Sequence, residues 1–253
     1  AVDLPRQNAR MRSRAMPLLL LLSSACMQTA DPGVPIEPSL APTGQDLRAA
    51  YARPAAEWPR PTVDDGVAFV ELGLLPKPSF PSDNPWSQAK QALGHALFFD
   101  GRLSGTGQMS CASCHDSQLG WTDGRTTSFG HGAKALARNA PSILNAAFQQ
   151  HFFWDGRAAS LEDQALAVFE NGQEMATSGA DVVQKLASSN GYRKMFLAAF
   201  GDEEPSLARA LAAIATFERV QASDGSSAFD RFVKGDHDAL DDAALRGLHL
   251  FRT

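Results

Sequence analysis

The apolar residues of this chain recur mostly at the spacing of helices. Asn84 can cap a helix that has Pro85 in its first turn, and Ala89, Leu93 and Leu97 then share one face. The pattern therefore predicts that regular structure begins near Asn84.

Further helices are predicted in the second half of the chain. Ser160 starts a sequence that resembles a capping box, Pro205 can open a long helix, and a last helical pattern begins at Asp241. The apolar positions with helical spacing are Val182, Val183 and Leu186; Met195, Phe196 and Phe200; and Leu211, Ile214, Phe217 and Val220. Strand-like alternation is nearly absent, so the fold class is predicted to be mainly α.

Two long loops rich in Gly, Ser and Thr separate the predicted helices, at residues 101–107 and 120–134. Loops of this length are uncommon in compact domains unless they line a functional site. A buried cofactor would explain how they stay ordered.

Composition and the first thirty residues indicate an exported protein. The chain has 253 residues and a net charge of −5, which argues against binding nucleic acid. Arg12 and Arg14 precede an apolar stretch at 16–22 and small residues at 23–25, the order of a secretory signal. The sequence ending at Cys26 resembles a lipoprotein processing site, so periplasmic export with a lipid anchor at Cys26 is one prediction, and ordinary cleavage is the alternative.

The motif Cys111-Ala112-Ser113-Cys114-His115 is the attachment signature of c-type haem. Two thiols at this spacing reach the two vinyl groups, and the adjacent imidazole becomes an axial ligand of the iron. A zinc site, a redox disulfide and a chance match are the competing interpretations.

The surroundings of this motif resemble the bacterial di-haem cytochrome c peroxidase family, which includes the MauG-like enzymes. The matching segments are residues 93–100, 102–105, 111–115, 121–125, 130–132, 138–145, 153–157, 213–219 and 229–232, together with Gln164, Glu174 and Met175. The resemblance implies a cytochrome c-like haem domain at 82–224. It is preceded by upstream residues and an export signal at 1–26 and by a proline-rich tether or arm at 27–81.

The resemblance also implies roles for individual residues. His115 matches the proximal iron ligand, Glu174 the distal acid/base, and Gln164 a partner that orients bound peroxide. A carboxylate near the iron can move the proton that peroxide cleavage requires, provided that its pKa lies near the working pH. The alternative for Glu174 is a solvated loop position, as for most glutamates.

Three further residues match family positions. Trp154 matches a tryptophan between the two haems that relays electrons, although packing in the core is the alternative. His131 matches a distal histidine that can occupy the sixth iron position, although its flanking glycines also suit a plain loop. Asn139 matches a side chain that helps to hold a calcium ion.

Two departures from the family pattern bear on these expectations. Val168 and Gly172 stand where many members have prolines, which predicts a looser loop before Glu174. Residues 225–253 match only the opening helices of a second haem domain, so Phe229, Phe232 and the final helix are expected to be poorly covered.

The first hypothesis is a peroxidase that reduces hydrogen peroxide with electrons from a small redox protein of the cytochrome c or cupredoxin type. The alternatives are a mono-haem electron carrier without catalysis and a MauG-like oxidase of a protein side chain. The oligomeric state is left open, with a homodimer among the options.

Overall fold

A computed structural model describes residues 44–252, and in this range it is helical. Eight α-helices are present there: α1 (Gly44–Tyr51), α2 (Gln88–Phe98), α3 (Leu161–Glu170), α4 (Gly179–Ser188), α5 (Asn190–Phe200), α6 (Leu207–Arg219), α7 (Ala228–Val233) and α8 (Asp242–Arg252). Within the same range, β pairing is limited to three isolated bridges. The mainly α class is therefore confirmed, whereas the export signal and Cys26 lie outside the described residues.

Helices α2 and α6 form the centre of the main core. Gly94 allows their close approach, because a Cβ atom at this position would overlap the carbonyl oxygen of Ala213. Leu93, Phe98 and Ile214 are fully buried at this contact. Loop residues between α2 and α3, such as Leu103 and Ile143, pack in the same core as these two helices.

The predicted cap of α2 was wrong, because Ser87 rather than Asn84 caps it. The Ser87 side chain accepts a hydrogen bond from the amide of Lys90. Asn84 is buried instead, where its side chain donates to Glu162 at 2.8 Å and accepts from the Lys90 ammonium group at 2.9 Å. Asn84 thus joins the N-terminus of α2 to α3.

The later helices begin at serine caps. Ser160 caps α3 as predicted, accepting a hydrogen bond from the amide of Asp163. Helix α6 begins at Leu207 behind its cap Ser206, so Pro205 precedes the helix rather than opening it. A serine oxygen satisfies an amide that has no partner inside the helix, which explains this repeated choice.

The expected exposure of residues from Ala228 onward was only partly correct. Residues of the N-terminal segment cover one face of α7 and α8, burying Phe232 and Leu245 completely. We call this group the arm cluster; its buried members are Leu47, Tyr51, Trp58, Phe232 and Leu245. By contrast, Leu250 and Phe251 on the other face of α8 are 76 % and 80 % exposed.

One buried guanidinium ties the arm cluster together. Arg252, 3 % exposed, pairs with both carboxylate oxygens of Glu71 and donates to the Tyr51 hydroxyl and the Pro59 carbonyl, each at 2.8 Å. Its partners all come from the segment that was predicted to be a tether. That segment therefore contains a helix, α1, and an anchored strap at residues 58–71.

The described helices are short. None of those between residues 44 and 252 is long and apolar enough to cross a bilayer.

Candidate functional site

A cavity of about 400 Å³ lies between α3, α6 and the loops that precede α3. This volume is within the range of about 300–1,000 Å³ that is usual for ligand and cofactor pockets. Most of its wall area is apolar. Its polar or aromatic lining residues include Cys111, Cys114, His115, Ser128, Arg138, Trp154, Asp155, Arg157, Gln164, Glu174 and Glu218.

The Cys-x-x-Cys-His segment forms one tight helical turn at the cavity. The turn spans Cys111–Ser113, and the Cys111 carbonyl accepts hydrogen bonds from the amides of Cys114 and His115, both at 3.1 Å. A turn of this kind brings residues three apart to the same side. Both thiols are free and both line the cavity.

A backbone carbonyl orients the imidazole of His115. Its Nδ1 atom lies 3.0 Å from the carbonyl oxygen of Trp121. Trp121 adopts a positive φ of 63°, which is strained for a residue with a side chain, and its ring packs edge-on against Phe98 and Phe217. With Nδ1 as the donor, Nε2 is the nitrogen left to bind a metal.

Burial keeps all three groups of the motif in their uncharged forms. It raises the pKa of both thiols, Cys111 and Cys114, and lowers the pKa of His115. A neutral imidazole is the form that binds iron. Redox-active cysteines have lowered thiol pKa values instead, so these surroundings do not favour a redox disulfide. Among the described residues, no group of three or more His, Cys, Asp or Glu side chains could hold a metal ion such as zinc.

Two side chains on adjoining elements provide acid/base and amide groups in the same cavity. Gln164 extends from α3, and Glu174 lies in the short segment between α3 and α4. Burial raises the pKa of Glu174 above its usual value, although the charge of Arg157 and a hydrogen bond from Asn171 oppose this shift. Glu174 is thus half-buried rather than a solvated loop residue.

The segment that carries Glu174 is fixed by backbone contacts on two sides. The amide of His131 donates to the Gln173 carbonyl at 2.7 Å, and the amide of Gly105 donates to the Met175 carbonyl at 2.8 Å. A Cβ atom on Gly130 would overlap the Gln173 carbonyl oxygen, so that position requires glycine. These contacts hold the segment although Val168 and Gly172 replace prolines, and the looser loop stays a prediction.

Trp154 lies at the mouth of the cavity. Its side chain is 64 % exposed, and its indole nitrogen donates to the Asn139 carbonyl at 3.0 Å. The core-packing alternative for Trp154 was therefore wrong. The Asn139 side chain itself donates to the Arg125 carbonyl at 3.4 Å.

His131 stands apart from the cavity. It begins a short turn, His131–Ala133, and does not belong to the residues that line the cavity wall. Its Nδ1 atom is buried without a hydrogen-bond partner within residues 44–252. His131 is thus adjacent to the Glu174 segment through its backbone, and its side chain is unpaired there.

Residues 88–238 match the family model described as di-haem cytochrome c peroxidase. The chain belongs to this family. It is 48 % identical over 172 residues to the methylamine utilization protein MauG of Methylorubrum extorquens, covering 68 % of this chain and 48 % of that protein. It is 38 % identical over 191 residues to the cytochrome c551 peroxidase of Nitrosomonas europaea, covering 74 % of this chain and 57 % of that protein.

Solved structures agree with this membership. A MauG-like protein associated with microbial copper homeostasis is 38 % identical and superimposes with a TM-score of 0.60, covering 64 % of this chain and 48 % of that one. The chain therefore spans about half the length of the curated relatives it matches. The mainly α, cytochrome c-like fold is shared with these members of the di-haem cytochrome c peroxidase family.

The cavity fits the c-type haem that the family name implies. Its walls are mostly apolar, its two free thiols and one neutral imidazole have the attachment pattern, and one buried polar atom on its wall, Glu218 Oε2, has no partner within the described residues. Buried polar atoms are normally paired, so an unpaired one on this wall fits a bound cofactor that carries polar groups.

Sequence reasoning missed two kinds of residue at this site. Arg138 and Arg157 both pair with Asp155 at the cavity wall, at 2.9 and 2.8 Å, and no motif indicated this. Glu218 had a visible signal: it lies four residues after Ile214, on the apolar face of α6, where a charged residue is unexpected.

Proposed function

We propose that this chain holds one c-type haem through Cys111, Cys114 and His115, and that it provides the peroxide-reducing site of a cytochrome c peroxidase. The observation that carries the proposal is that Glu174 and Gln164 line the same cavity as the three residues of the attachment motif. An acid/base group and a neutral amide beside an iron site are the side chains that peroxide cleavage needs.

The bound haem would supply the iron centre at which hydrogen peroxide is reduced. Cys111 and Cys114 would hold it covalently, and His115, oriented by the Trp121 carbonyl, would bind the iron through Nε2. Arg138 and Arg157 are placed to pair with the acidic groups of the cofactor, since two guanidinium groups share the single carboxylate of Asp155.

Glu174 and Gln164 would act on the peroxide. The Glu174 carboxylate takes the proton from one peroxide oxygen and returns it to the other, so that water can leave. Its raised pKa brings proton affinity closer to neutral pH, which favours both steps. Gln164 has no proton to exchange and serves to orient the peroxide by hydrogen bonding.

Electrons would enter at the cavity mouth. Trp154 is exposed there and can pass electrons from a second haem or a small redox protein of the cytochrome c or cupredoxin type. His131, which does not line the cavity, would have to move to become the sixth iron ligand of a resting state, and Asn139 is a candidate calcium ligand. The periplasm is the proposed location, because c-type attachment and the predicted export signal agree.

The test is peroxide-dependent oxidation of a reduced cytochrome c by the chain, produced with periplasmic haem attachment and with its haem content verified. The change Glu174→Gln is expected to spare haem attachment and to slow turnover about 100- to 10,000-fold, the usual contribution of general acid–base catalysis. The matched control is Glu170→Gln, which alters an exposed glutamate at the end of α3. Equal turnover by the parent and Glu174→Gln would contradict the proposed role.

A MauG-like oxidase of a protein side chain is the second candidate. The observation that favours it is the 48 % identity to the methylamine utilization protein MauG, against 38 % for the cytochrome c551 peroxidase. The same assay separates the two: consumption of peroxide without oxidation of the reduced cytochrome would favour the oxidase. A mono-haem carrier would show neither reaction.

A further inference from the structure

The proposed haem cavity contains a buried carboxyl group that neither pairs with an arginine nor takes part in the proposed peroxide chemistry. Glu218 is 4 % exposed, lines the cavity, and has one carboxylate oxygen, Oε2, that is buried without a partner within residues 44–252. An unpaired buried polar atom is costly, so its retention on a cofactor wall calls for an explanation.

The neighbours of Glu218 do not neutralise it. Its charged neighbours are Arg219 on the same helix and Glu162 on α3. These two are paired with each other through two hydrogen bonds of 2.8 Å, so the guanidinium is already engaged. Desolvation consequently dominates and raises the pKa of Glu218 to about 8.

Glu218 also affects the attachment motif. Burial raises the pKa of the Cys111 thiol, and the charge of Glu218, which lines the same cavity, raises it further. The other titratable or charged groups on the cavity wall are Cys114, His115, Arg138, Asp155, Arg157 and Glu174. Of these, only Glu174 is a second carboxyl group without a direct arginine partner, so the two carboxyls must be tested separately.

We propose that Glu218 takes up a proton when the haem is reduced and releases it when the haem is oxidised. One electron from the donor protein enters the haem and one proton from water enters the Glu218 carboxylate, so the charge of the cavity is unchanged. A charge added inside an apolar cavity is expensive, and a nearby proton offsets it. The inference rests on the haem attachment of the proposed function but not on peroxide turnover.

The first test is the reduction potential of the haem-loaded chain, measured by spectroelectrochemistry at a series of pH values. The parent is expected to show a potential that falls as the pH rises through the range in which Glu218 titrates. Glu218→Gln, which keeps the shape and removes the ionisation, is expected to lose that dependence. Glu170→Gln is the control and should retain it. An unchanged slope in Glu218→Gln would overturn the proposal.

The second test does not depend on Glu218→Gln folding. The reduced-minus-oxidised infrared spectrum of haem-loaded Glu174→Gln should contain the C=O band of a protonated carboxylic acid, and labelling with ¹³C-glutamate should shift it. Absence of such a band would overturn the proposal. A chain without covalent haem would instead contradict the proposed function, so the two failures can be distinguished.

Discussion

Two buried charged residues show how differently the arm cluster and the cavity are built. Arg252, in the arm cluster, is 3 % exposed and has four hydrogen bonds to three partners. Glu218, on the cavity wall, is 4 % exposed and leaves a carboxylate oxygen without a partner. A buried charged group with all its hydrogen bonds made stabilises a fold. A buried polar atom without a hydrogen-bond partner costs stability and is tolerated where a cofactor must bind.

The backbone shows the same contrast. Four residues at or beside the cavity have a positive φ despite carrying side chains: Trp121, Asn145, Phe153 and Ala176. The arm cluster has no such residue among its five buried members. Strain of this kind persists only where surrounding contacts impose it, and it concentrates at functional sites.

The largest expected effect on stability comes from removing the fully paired arginine of the arm cluster. Arg252→Met should lower the free energy of unfolding by about 3 kcal/mol, because Glu71 and the Tyr51 hydroxyl lose a buried partner. Urea denaturation followed by circular dichroism measures this. Arg246→Met on the exposed side of α8 is the control, and an equal loss for both variants would mean that the Arg252 contacts contribute nothing.

A smaller effect is expected at the segment that carries Glu174. Gly130→Ala places a methyl group on the Gln173 carbonyl and should cost about 2 kcal/mol of stability, the usual range for overpacking. It should also slow peroxide turnover by more than Gly172→Ala does, because Gly172 has open space around it and a backbone that alanine accepts. Identical turnover in the two variants would show that the backbone contact does not position Glu174.

The last expected effect is a change of stability with pH. A carboxyl group whose pKa is raised from 4.5 to about 8 binds more protons in the folded state, so its contribution to stability is lost as the pH rises through that window. Relative to the parent, Glu218→Gln should therefore become progressively more stable between pH 5 and pH 8. Thermal unfolding of both proteins measures the difference, and a constant difference across this range would show that Glu218 is not buried as an acid.

The sequence predicted the parts of this structure that depend on local pattern. The attachment motif, the caps at Ser160 and the apolar faces of α4, α5 and α6 follow from residue type and spacing alone. The family resemblance added Gln164, Glu174 and Trp154, and the structure places all three at the cavity with the motif.

The remaining features depend on contacts between distant segments. The proline-rich segment gave no sign that Tyr51 and Glu71 would meet Arg252, about 200 and 180 positions away. The error in the predicted cap of α2 has the same origin. Asn84 is buried and donates a hydrogen bond to Glu162, so Ser87 caps the helix instead. Tertiary partners of this kind override local propensity.

The cavity is proposed to hold a covalent haem, and the mass of the denatured chain after periplasmic expression tests this directly. We expect a mass increase of one haem for the parent and none for the double variant Cys111→Ser, Cys114→Ser. A parent chain without added mass, in cells that attach haem to a control cytochrome c, would mean that the cavity does not hold a covalent haem.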